Sequence, residues 1–270
     1  MNAQEVKAWA RGLGADLIGV APAGRFAELA PDCSPLAIFP ECRSVLVVGR
    51  RVLRGAIRGV EEGTNFHSTY ELFGFRWLED TFLSKTTYDL TCRIEEAGFE
   101  AVPLFGYTAE GMPKGLPVAE GKPAPNVIVD LDFAARAAGL GAVGRGGFLL
   151  TPEYGTRQRL ALVLTDAELE PDQAFEGSVC DGCGSCAAAC PFGAIGDAGV
   201  DYRVCARCPN GATSGPGRGS RPDRLAAACA RACLVHLEGA GKCRNAFANR
   251  FRKREPWALD LFRRPVEARP

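Results

Sequence analysis

Nine of the twelve cysteines of this chain lie in one stretch, between Cys180 and Cys243. Clustered cysteines in a chain without a secretory signal indicate metal binding or catalysis rather than structural disulfides. The first half of the stretch has the spacing C-x2-C-x2-C-x3-C-P, formed by Cys180, Cys183, Cys186, Cys190 and Pro191. The second half has a C-x2-C pair followed by a C-x3-C pair, formed by Cys205, Cys208, Cys229 and Cys233. This spacing requires the segment to fold around a metal centre.

The first spacing is typical of bacterial two-cluster ferredoxins, in which three cysteines hold one [4Fe–4S] cluster and the fourth reaches the other cluster. Glycines between the cysteines let the backbone approach the cluster closely. The crossed ligation of those ferredoxins implies the following ligand sets. Cluster I would take Cys180, Cys183, Cys186 and Cys233, and cluster II would take Cys190, Cys205, Cys208 and Cys229.

The second half contains twenty residues between Cys208 and Cys229 where the first half has two. Glycine and proline are frequent in this insertion, which predicts a loop, and a helix is predicted over Arg224–Cys233 with both of its cysteines on one face. Zinc is the alternative metal, but a zinc site needs four ligands and does not explain the Cys-Pro step.

The remaining cysteines have no place in this ligand scheme. Cys243 is interpreted as a free thiol, with ligand exchange as the alternative. The three N-terminal cysteines are interpreted as small buried hydrophobic residues. They are Cys33, Cys42 and Cys92.

The segment before the cysteines predicts a mixed α/β domain, because helical and strand-like patterns alternate along it. The predicted division is an α/β domain at residues 1–172, a ferredoxin-like domain at 173–243 and a basic C-terminal tail at 244–270. The predicted helices cover residues 4–13, Tyr70–Ala97 and Asp132–Ala138. The predicted strands are Leu17–Ala21, Ser44–Gly49, Ala101–Phe105, Phe148–Leu150 and Leu160–Leu164.

Charge and hydropathy limit the partners and the cellular location expected for this chain. Basic and acidic residues are balanced at 32 each, which makes a nucleic-acid partner unlikely. No apolar run approaches the length of a membrane helix and no secretory signal begins the chain, so the expected location is cytoplasmic, without a membrane partner. The basic tail is expected to be solvated, or alternatively to dock an acidic redox partner.

The glycine-rich segment and the two histidines are weaker signals. Gly139, Gly141 and Gly144 match the dinucleotide-binding pattern G-x-G-x-x-G, but a helical segment precedes them where a strand is required, so a structural turn or a different cofactor is favoured. His67 is interpreted as a surface residue, with a substrate contact as the alternative. His236 is either a cluster-tuning residue or a plain helix-surface residue.

The glycine segment supports a family resemblance. Residues Ala137–Pro152, continuing through Leu160–Leu164 into the ferredoxin-like region, resemble the core shared by epoxyqueuosine reductases and corrinoid-dependent reductive dehalogenases. The early segment Gly14–Ala21 and the helix end at Glu96–Glu100 fit the same pattern, so the resemblance covers roughly residues 3–240. It implies a nitroreductase-like α+β domain that can hold a corrinoid (cobalamin), followed by two [4Fe–4S] clusters that reduce it.

Three features of this sequence differ from the pattern of the family that it resembles. The family's catalytic aspartate corresponds to Pro125, so no proton donor is transferred from the family. The family's Lys/Asn-like pair after the glycine segment is here Arg145-Gly146. Neither the C-terminal helical repeats that help hold tRNA nor the export signal of respiratory dehalogenases is expected, so the chain resembles a branch to which neither substrate carries over.

The leading hypothesis is an oxygen-sensitive reductase that delivers electrons to a small-molecule substrate or a corrinoid in the N-terminal domain. Its donor would be a low-potential protein such as ferredoxin or flavodoxin. Arg145 is the candidate cofactor contact. The candidates for proton delivery are Tyr70, Tyr107, Asp130 and Asp132. The alternatives are an electron-transfer ferredoxin-type protein without substrate chemistry, and a flavin or nicotinamide enzyme that uses the clusters as a relay.

Overall fold

The structure is a computed structural model and describes residues 1–105, 115–125, 127–209 and 223–267. The α-helices in these residues are α1 (Ala3–Gly12), α2 (Pro35–Ile38), α3 (Arg58–Glu61), α4 (Ser84–Glu96), α5 (Leu131–Ala137), α6 (Ser185–Ala188), α7 (Tyr202–Cys205) and α8 (Ala228–Gly239). The strands are β1 (Leu17–Pro22), β2 (Ser44–Arg51), β3 (Ala101–Phe105), β4 (Ala142–Val143), β5 (Leu149–Leu150), β6 (Gln158–Thr165), β7 (Ile195–Gly196), β8 (Gly199–Val200), β9 (Trp257–Leu259) and β10 (Pro265–Glu267). Short 3-10 helices cover Ala23–Phe26 and Arg54–Ile57, and π-helical turns cover His67–Arg76 and Leu78–Leu83.

The chain forms two compact units that are interleaved along the sequence. Unit 1 comprises Met1–Arg51, Leu78–Leu140 and Arg159–Glu176. Unit 2 comprises Val52–Trp77, Gly141–Gln158 and Gly177–Pro270. The sequence predicts domains that are consecutive along the chain, and that division stays a prediction. In unit 2, residues 52–77 and 141–158 cluster with the cysteine-rich segment.

Unit 1 is built on a four-stranded sheet with the strand order β1-β2-β6-β3. β1 pairs antiparallel with β2, with Leu17 opposite Gly49, and β3 pairs antiparallel with β6, with Ala101 opposite Thr165. Runs of buried aliphatic residues give these strands their length, since β-branched side chains favour extended backbone. The predicted strands in this unit are therefore confirmed to within a few residues.

Helix α1 packs on this sheet and carries its own start and stop signals. The Asn2 side chain accepts a hydrogen bond from the Glu5 amide at 3.0 Å, and the Glu5 carboxylate accepts one from the Asn2 amide at 2.8 Å. This reciprocal capping box satisfies two amides that the helix itself leaves unpaired. Gly14 follows the helix with a φ of +96°, a backbone conformation that residues other than glycine rarely adopt. The helix predicted over residues 4–13 is confirmed.

The long helix predicted over Tyr70–Ala97 is helical in the structure, but only its last part is regular α-helix. The first part winds as π-helical turns through Leu83 before α4 begins at Ser84. Within these turns, a Cβ on Gly74 would lie 2.5 Å from the Tyr70 ring. The missing side chain at Gly74 therefore lets the Tyr70 ring, which is fully buried, pack against its own helix.

The segment after Cys243 is folded rather than a solvated tail. β9 and β10 pair antiparallel, and Ala258 in β9 is fully buried. Two of its arginines form ion pairs with carboxylates of unit 2, Arg252 with Glu61 at 3.5 Å and Arg254 with Glu62. These pairs neutralise part of the basic charge that suggested a docking tail.

Among the described residues, no helix has the length and apolar character needed to cross a lipid bilayer.

Candidate metal centre

Four cysteines of unit 2 line a cavity, here called the first cavity. The loop before α6 supplies two of them, α6 supplies the third and α8 the fourth. Gly182 and Gly184 give the loop its tight path, with φ of +75 and +79. The cysteines are Cys180, Cys183, Cys186 and Cys233, and Asp181, His236 and the glycine segment 144–146 also contribute to the wall.

A second group of four cysteines lines a separate cavity in unit 2, here called the second cavity. Helix α7 ends at one of them and α8 supplies another. Asp201 begins α7 by accepting hydrogen bonds from the amides of Arg203 and Val204, which is the usual role of an aspartate at a helix start. The cysteines are Cys190, Cys205, Cys208 and Cys229, and Pro191, Phe192, Ala194 and Arg224 lie among the other lining residues.

Each half of the cysteine sequence contributes one residue to the other half's cavity. Cys190 lies in the second cavity and Cys233 in the first. Cys229 and Cys233 are four residues apart on α8, so they share one face of the helix, and that face meets both cavities. The structure thus brings together the same two sets of four cysteines that the spacing implies.

The helix carrying these two cysteines begins later than predicted. The sequence predicts Arg224–Cys233, whereas α8 runs from Ala228 to Gly239. Ala227 is extended, with ψ 156, and the Arg224 side chain donates to backbone carbonyls of another segment. That tertiary anchor keeps residues 224–227 out of the helix. The loop predicted between Cys208 and Cys229 lies mostly outside the described residues.

Burial controls the protonation of these thiols. Desolvation raises the pKa of Cys229 to about 12 and also raises the pKa of Cys186, Cys205 and Cys233. Neighbouring thiols add to the effect, because several negative charges close together repel one another. Since iron binds the thiolate, metal entry has to release these protons. Ionised thiolates in these two cavities therefore need a bound cation to stabilise them.

The glycine segment packs closely against the wall of the first cavity and against β5. A Cβ on Gly144 would lie 3.1 Å from the Cβ of Cys180, and a Cβ on Gly146 would lie 3.3 Å from the Cβ of Cys186. A Cβ on Gly141 would lie 2.1 Å from the carbonyl oxygen of Leu150 in β5. These glycines are needed for close packing beside the cysteines, which supports the structural turn favoured from the sequence.

We expect Gly141→Ala to destabilise unit 2 by about 1–3 kcal/mol, because the new methyl group meets backbone and the β4–β5 hairpin has to shift. The matched control is Gly196→Ala, where a Cβ would meet nothing within 4 Å. Anaerobic urea denaturation followed by circular dichroism measures both. Equal midpoints for the two variants would contradict the packing argument.

Arg145 and His236, beside the first cavity, each contact a carboxylate. Arg145 forms an ion pair with Asp197. Nε2 of His236 lies 2.8 Å from Oδ2 of Asp181. Arg145, the predicted cofactor contact, thus lies among the residues around the cysteines, and its contact with a corrinoid stays a prediction. His236 faces the cavity, which favours the tuning role over the plain helix-surface role.

The described candidates for proton delivery are not among the residues that line either cavity. The Tyr70 hydroxyl donates to Oδ2 of Asp223 at 2.6 Å. Asp130 begins α5, where its carboxylate accepts hydrogen bonds from the amides of Asp132 and Phe133. Tyr107 lies outside the described residues. His67, the predicted surface residue, is exposed and lies 2.7 Å from Glu71.

The remaining cysteines are not among the residues that line either cavity. Cys243 is buried, and burial raises its pKa to about 11, as expected for an inert thiol. Cys42 is buried as predicted, and burial raises its pKa to about 11. Cys33 and Cys92 are only partly buried, so the prediction of buried residues is wrong for these two.

Sequence reasoning missed Arg224, which is 6% exposed and lines the second cavity. No local signal marks it, because an arginine five residues before Cys229 resembles any other helix-flanking arginine. Its position depends on Gly146 and Gly147, whose carbonyls it binds from nearly eighty residues away in the sequence.

Comparison with known proteins identifies an iron–sulfur segment in this chain. A model of the 4Fe-4S binding domain matches residues 176–196. Tetrachloroethene reductive dehalogenase of Desulfitobacterium hafniense is 49% identical over 61 residues, which are 22% of this chain and 11% of that protein. Epoxyqueuosine reductase of Lactococcus garvieae is 38% identical over 79 residues, which are 29% of this chain and 22% of that protein.

Solved structures extend the likeness to most of the fold. Epoxyqueuosine reductase from Streptococcus thermophilus matches with a TM-score of 0.57 at 18% identity, covering 84% of this chain and 65% of that chain. A reductive dehalogenase described for B12-dependent dehalogenation matches with a TM-score of 0.52 at 20% identity, covering 72% of this chain and 26% of that chain. The chain thus spans less than two thirds of the length of these relatives.

These findings define the chain first by class, as a mixed α/β protein with a [4Fe–4S]-binding segment. Within that class it is related to the epoxyqueuosine reductases and the reductive dehalogenases. One matched structure is of an epoxyqueuosine reductase with a tRNA stem loop. The expectation that nucleic acid is not a partner therefore stays a prediction.

Proposed function

We propose that this protein is an oxygen-sensitive reductase that carries two [4Fe–4S] clusters, one in each cysteine-lined cavity. The observation that supports it most is the exchange of Cys190 and Cys233 between the cavities. A single metal site needs four ligands and has no use for this exchange, whereas two-cluster ferredoxins use it. Eight thiolates in two sets of four supply the ligands that two such clusters take.

The residues of both cavities fit the proposed group. All-cysteine donor sets suit soft metal centres, and four thiolates are the usual ligands of a [4Fe–4S] cluster. The Ala194 amide donates to the Cys190 sulfur at 3.3 Å, a type of contact that stabilises a bound thiolate. When bound, the clusters supply one-electron transfer. The chain's own part is to hold them, limit their contact with water and set the charge around them.

The finer proposal concerns the destination of the electrons. The N-terminal α/β part, about residues 1–172, would form a nitroreductase-like domain that binds a small-molecule substrate or a corrinoid (cobalamin). Support comes from relatedness to reductive dehalogenases, one of which is described as B12-dependent. The donor would be a low-potential protein such as ferredoxin or flavodoxin in the cytoplasm. Arg145 is the proposed cofactor contact, and no residue is assigned as the proton donor.

Anaerobic purification and reconstitution test this proposal. We expect roughly eight irons per polypeptide, with the broad visible absorption of iron–sulfur clusters. Addition of cobalamin should give corrinoid absorption bands that stay with the protein through gel filtration. A colourless zinc protein, or markedly fewer irons, would contradict the two-cluster proposal. Bound flavin would instead support a flavin enzyme that uses the clusters as a relay.

A second candidate function is electron transfer without substrate chemistry. It is favoured by one observation, namely that the sequence matches to the related enzymes cover 22% to 29% of this chain. Intact clusters combined with no retention of cobalamin or flavin would favour this alternative. The same preparation therefore separates the two functions.

A further inference from the structure

Arg224 brings a buried positive charge to the second cavity. It lines that cavity together with Cys205 and Cys229. Its two terminal nitrogens donate to the carbonyl oxygens of Gly146 at 3.0 Å and Gly147 at 2.9 Å. These partners are neutral, and among the described residues no carboxylate forms an ion pair with Arg224. Its full charge therefore acts on the surrounding cysteines.

Aromatic rings cover the guanidinium. Its central carbon lies 4.4 Å from the centre of the Phe148 ring and 5.3 Å from the centre of the Tyr202 ring. Aromatic faces stabilise a cation without neutralising it. They also keep solvent away, so the charge is screened less than it would be at the surface.

The first cavity has a different electrostatic environment. Its arginine, Arg145, is 34% exposed and forms an ion pair with Asp197. Its histidine, His236, is hydrogen-bonded to Asp181. The Asp197 carboxylate therefore offsets the guanidinium beside the first cavity, whereas the guanidinium beside the second cavity has neutral partners.

We propose that Arg224 is a positioning residue that sets the reduction potential of the cluster in the second cavity above that of the cluster in the first. The inference rests on the two-cluster function proposed above. Reduction adds one negative charge to a cluster, and a nearby buried cation stabilises the more negative state. One electron would pass from the low-potential donor, which is oxidised, to the second cluster, with no proton or bond exchanged. The second cluster would thus be the first to hold an electron.

The same side chain also fixes geometry at both cavities. Gly146, whose carbonyl Arg224 binds, lines the first cavity. Gly147 has φ +67, and a Cβ there would lie 3.0 Å from a terminal nitrogen of Arg224. A forked guanidinium can bind two successive carbonyls, which a lysine ammonium does less well. Arg224 therefore connects the wall of one cavity to the cysteines of the other.

The test is an anaerobic redox titration of the reconstituted protein followed by electron paramagnetic resonance. In the wild type, we expect two midpoints, and the signal altered by Cys208→Ser should appear first on reduction. In Arg224→Gln, that signal should move to lower potential, with a roughly tenfold smaller ratio of reduced to oxidised cluster at a fixed potential, or about 59 mV for one electron. The midpoint of the first cluster should move less than that of the second, because Arg224 contacts only the wall of the first cavity and lines the second.

Arg203→Gln is the matched control, because Arg203 is an exposed arginine two residues before Cys205. Solvent screens its charge, so its removal should shift neither midpoint appreciably. Equal shifts in the two variants, or no shift in Arg224→Gln, would overturn the inference. If Arg224→Gln does not retain the second cluster, Arg224→Lys decides. A midpoint near that of the wild type supports the charge effect, and a midpoint as low as that of the first cluster overturns it.

The order of reduction in the wild type requires no change at position 224, so it tests the inference even if both variants fail to fold. Simultaneous or reversed reduction with eight irons present would overturn the role of Arg224 and leave the two-cluster proposal intact. Markedly fewer irons in the wild type would contradict the two-cluster proposal itself.

Discussion

Replacing Cys190 by alanine is expected to remove about half of the bound iron and to leave one [4Fe–4S] cluster in place. Cys190 belongs to the first half of the cysteine sequence but lines the second cavity. Its loss should therefore deplete the second cluster and spare the cluster held by its sequence neighbours Cys183 and Cys186. Iron analysis and spin quantitation after anaerobic reduction measure the result.

Cys243→Ala is the matched control, because Cys243 is a buried cysteine of the same unit that lines neither cavity. It should retain the wild-type iron content. Cys233→Ala is the reciprocal variant and should deplete the first cluster while sparing the second. If Cys190→Ala loses both clusters or neither, or if Cys243→Ala loses as much iron as Cys190→Ala, the exchanged ligand sets are wrong.

Replacing Glu61 by alanine is expected to lower the free energy of unfolding of unit 2 by about 3–5 kcal/mol, because it leaves a buried arginine without its counter-ion. Nη1 of Arg231 lies 3.0 Å from Oε1 of Glu61, and the two side chains are only 1% and 2% exposed. Arg231 also contacts the carbonyls of Ala226 and Trp257 and the face of the Trp257 ring. None of these neutralises the charge.

The neighbouring residue provides the control. Glu62 pairs with Arg58 at 3.5 Å and with Arg254, and its side chain is 26% exposed. Glu62→Ala should cost only about 0–1 kcal/mol, as is usual for pairs that water can reach. Anaerobic chemical denaturation followed by far-ultraviolet circular dichroism compares the two variants. Similar losses for both would show that the buried pair contributes no more than a surface pair.

Most local elements and the grouping of the cysteines could be predicted from the sequence alone. Gly14 after α1 and the valine-rich run in β2 predict their elements, because helix ends and buried strands depend on nearby residues. The cysteine spacing predicts two sets of four because ligand geometry at a cluster fixes the number of residues between ligands.

The segments that lie beside those cysteines could not be predicted from the sequence, because they come from distant parts of the chain. The tertiary structure brings Gly144 and Gly146 to the first cavity and Arg224 to the second, and it pairs Glu61 with Arg231 across 170 residues of sequence. In the tertiary structure α8 also begins later than predicted, and Arg224, at the predicted start, binds the carbonyls of Gly146 and Gly147. Contacts of this kind leave no periodic pattern, because they depend on how the whole chain packs and not on the residues beside them.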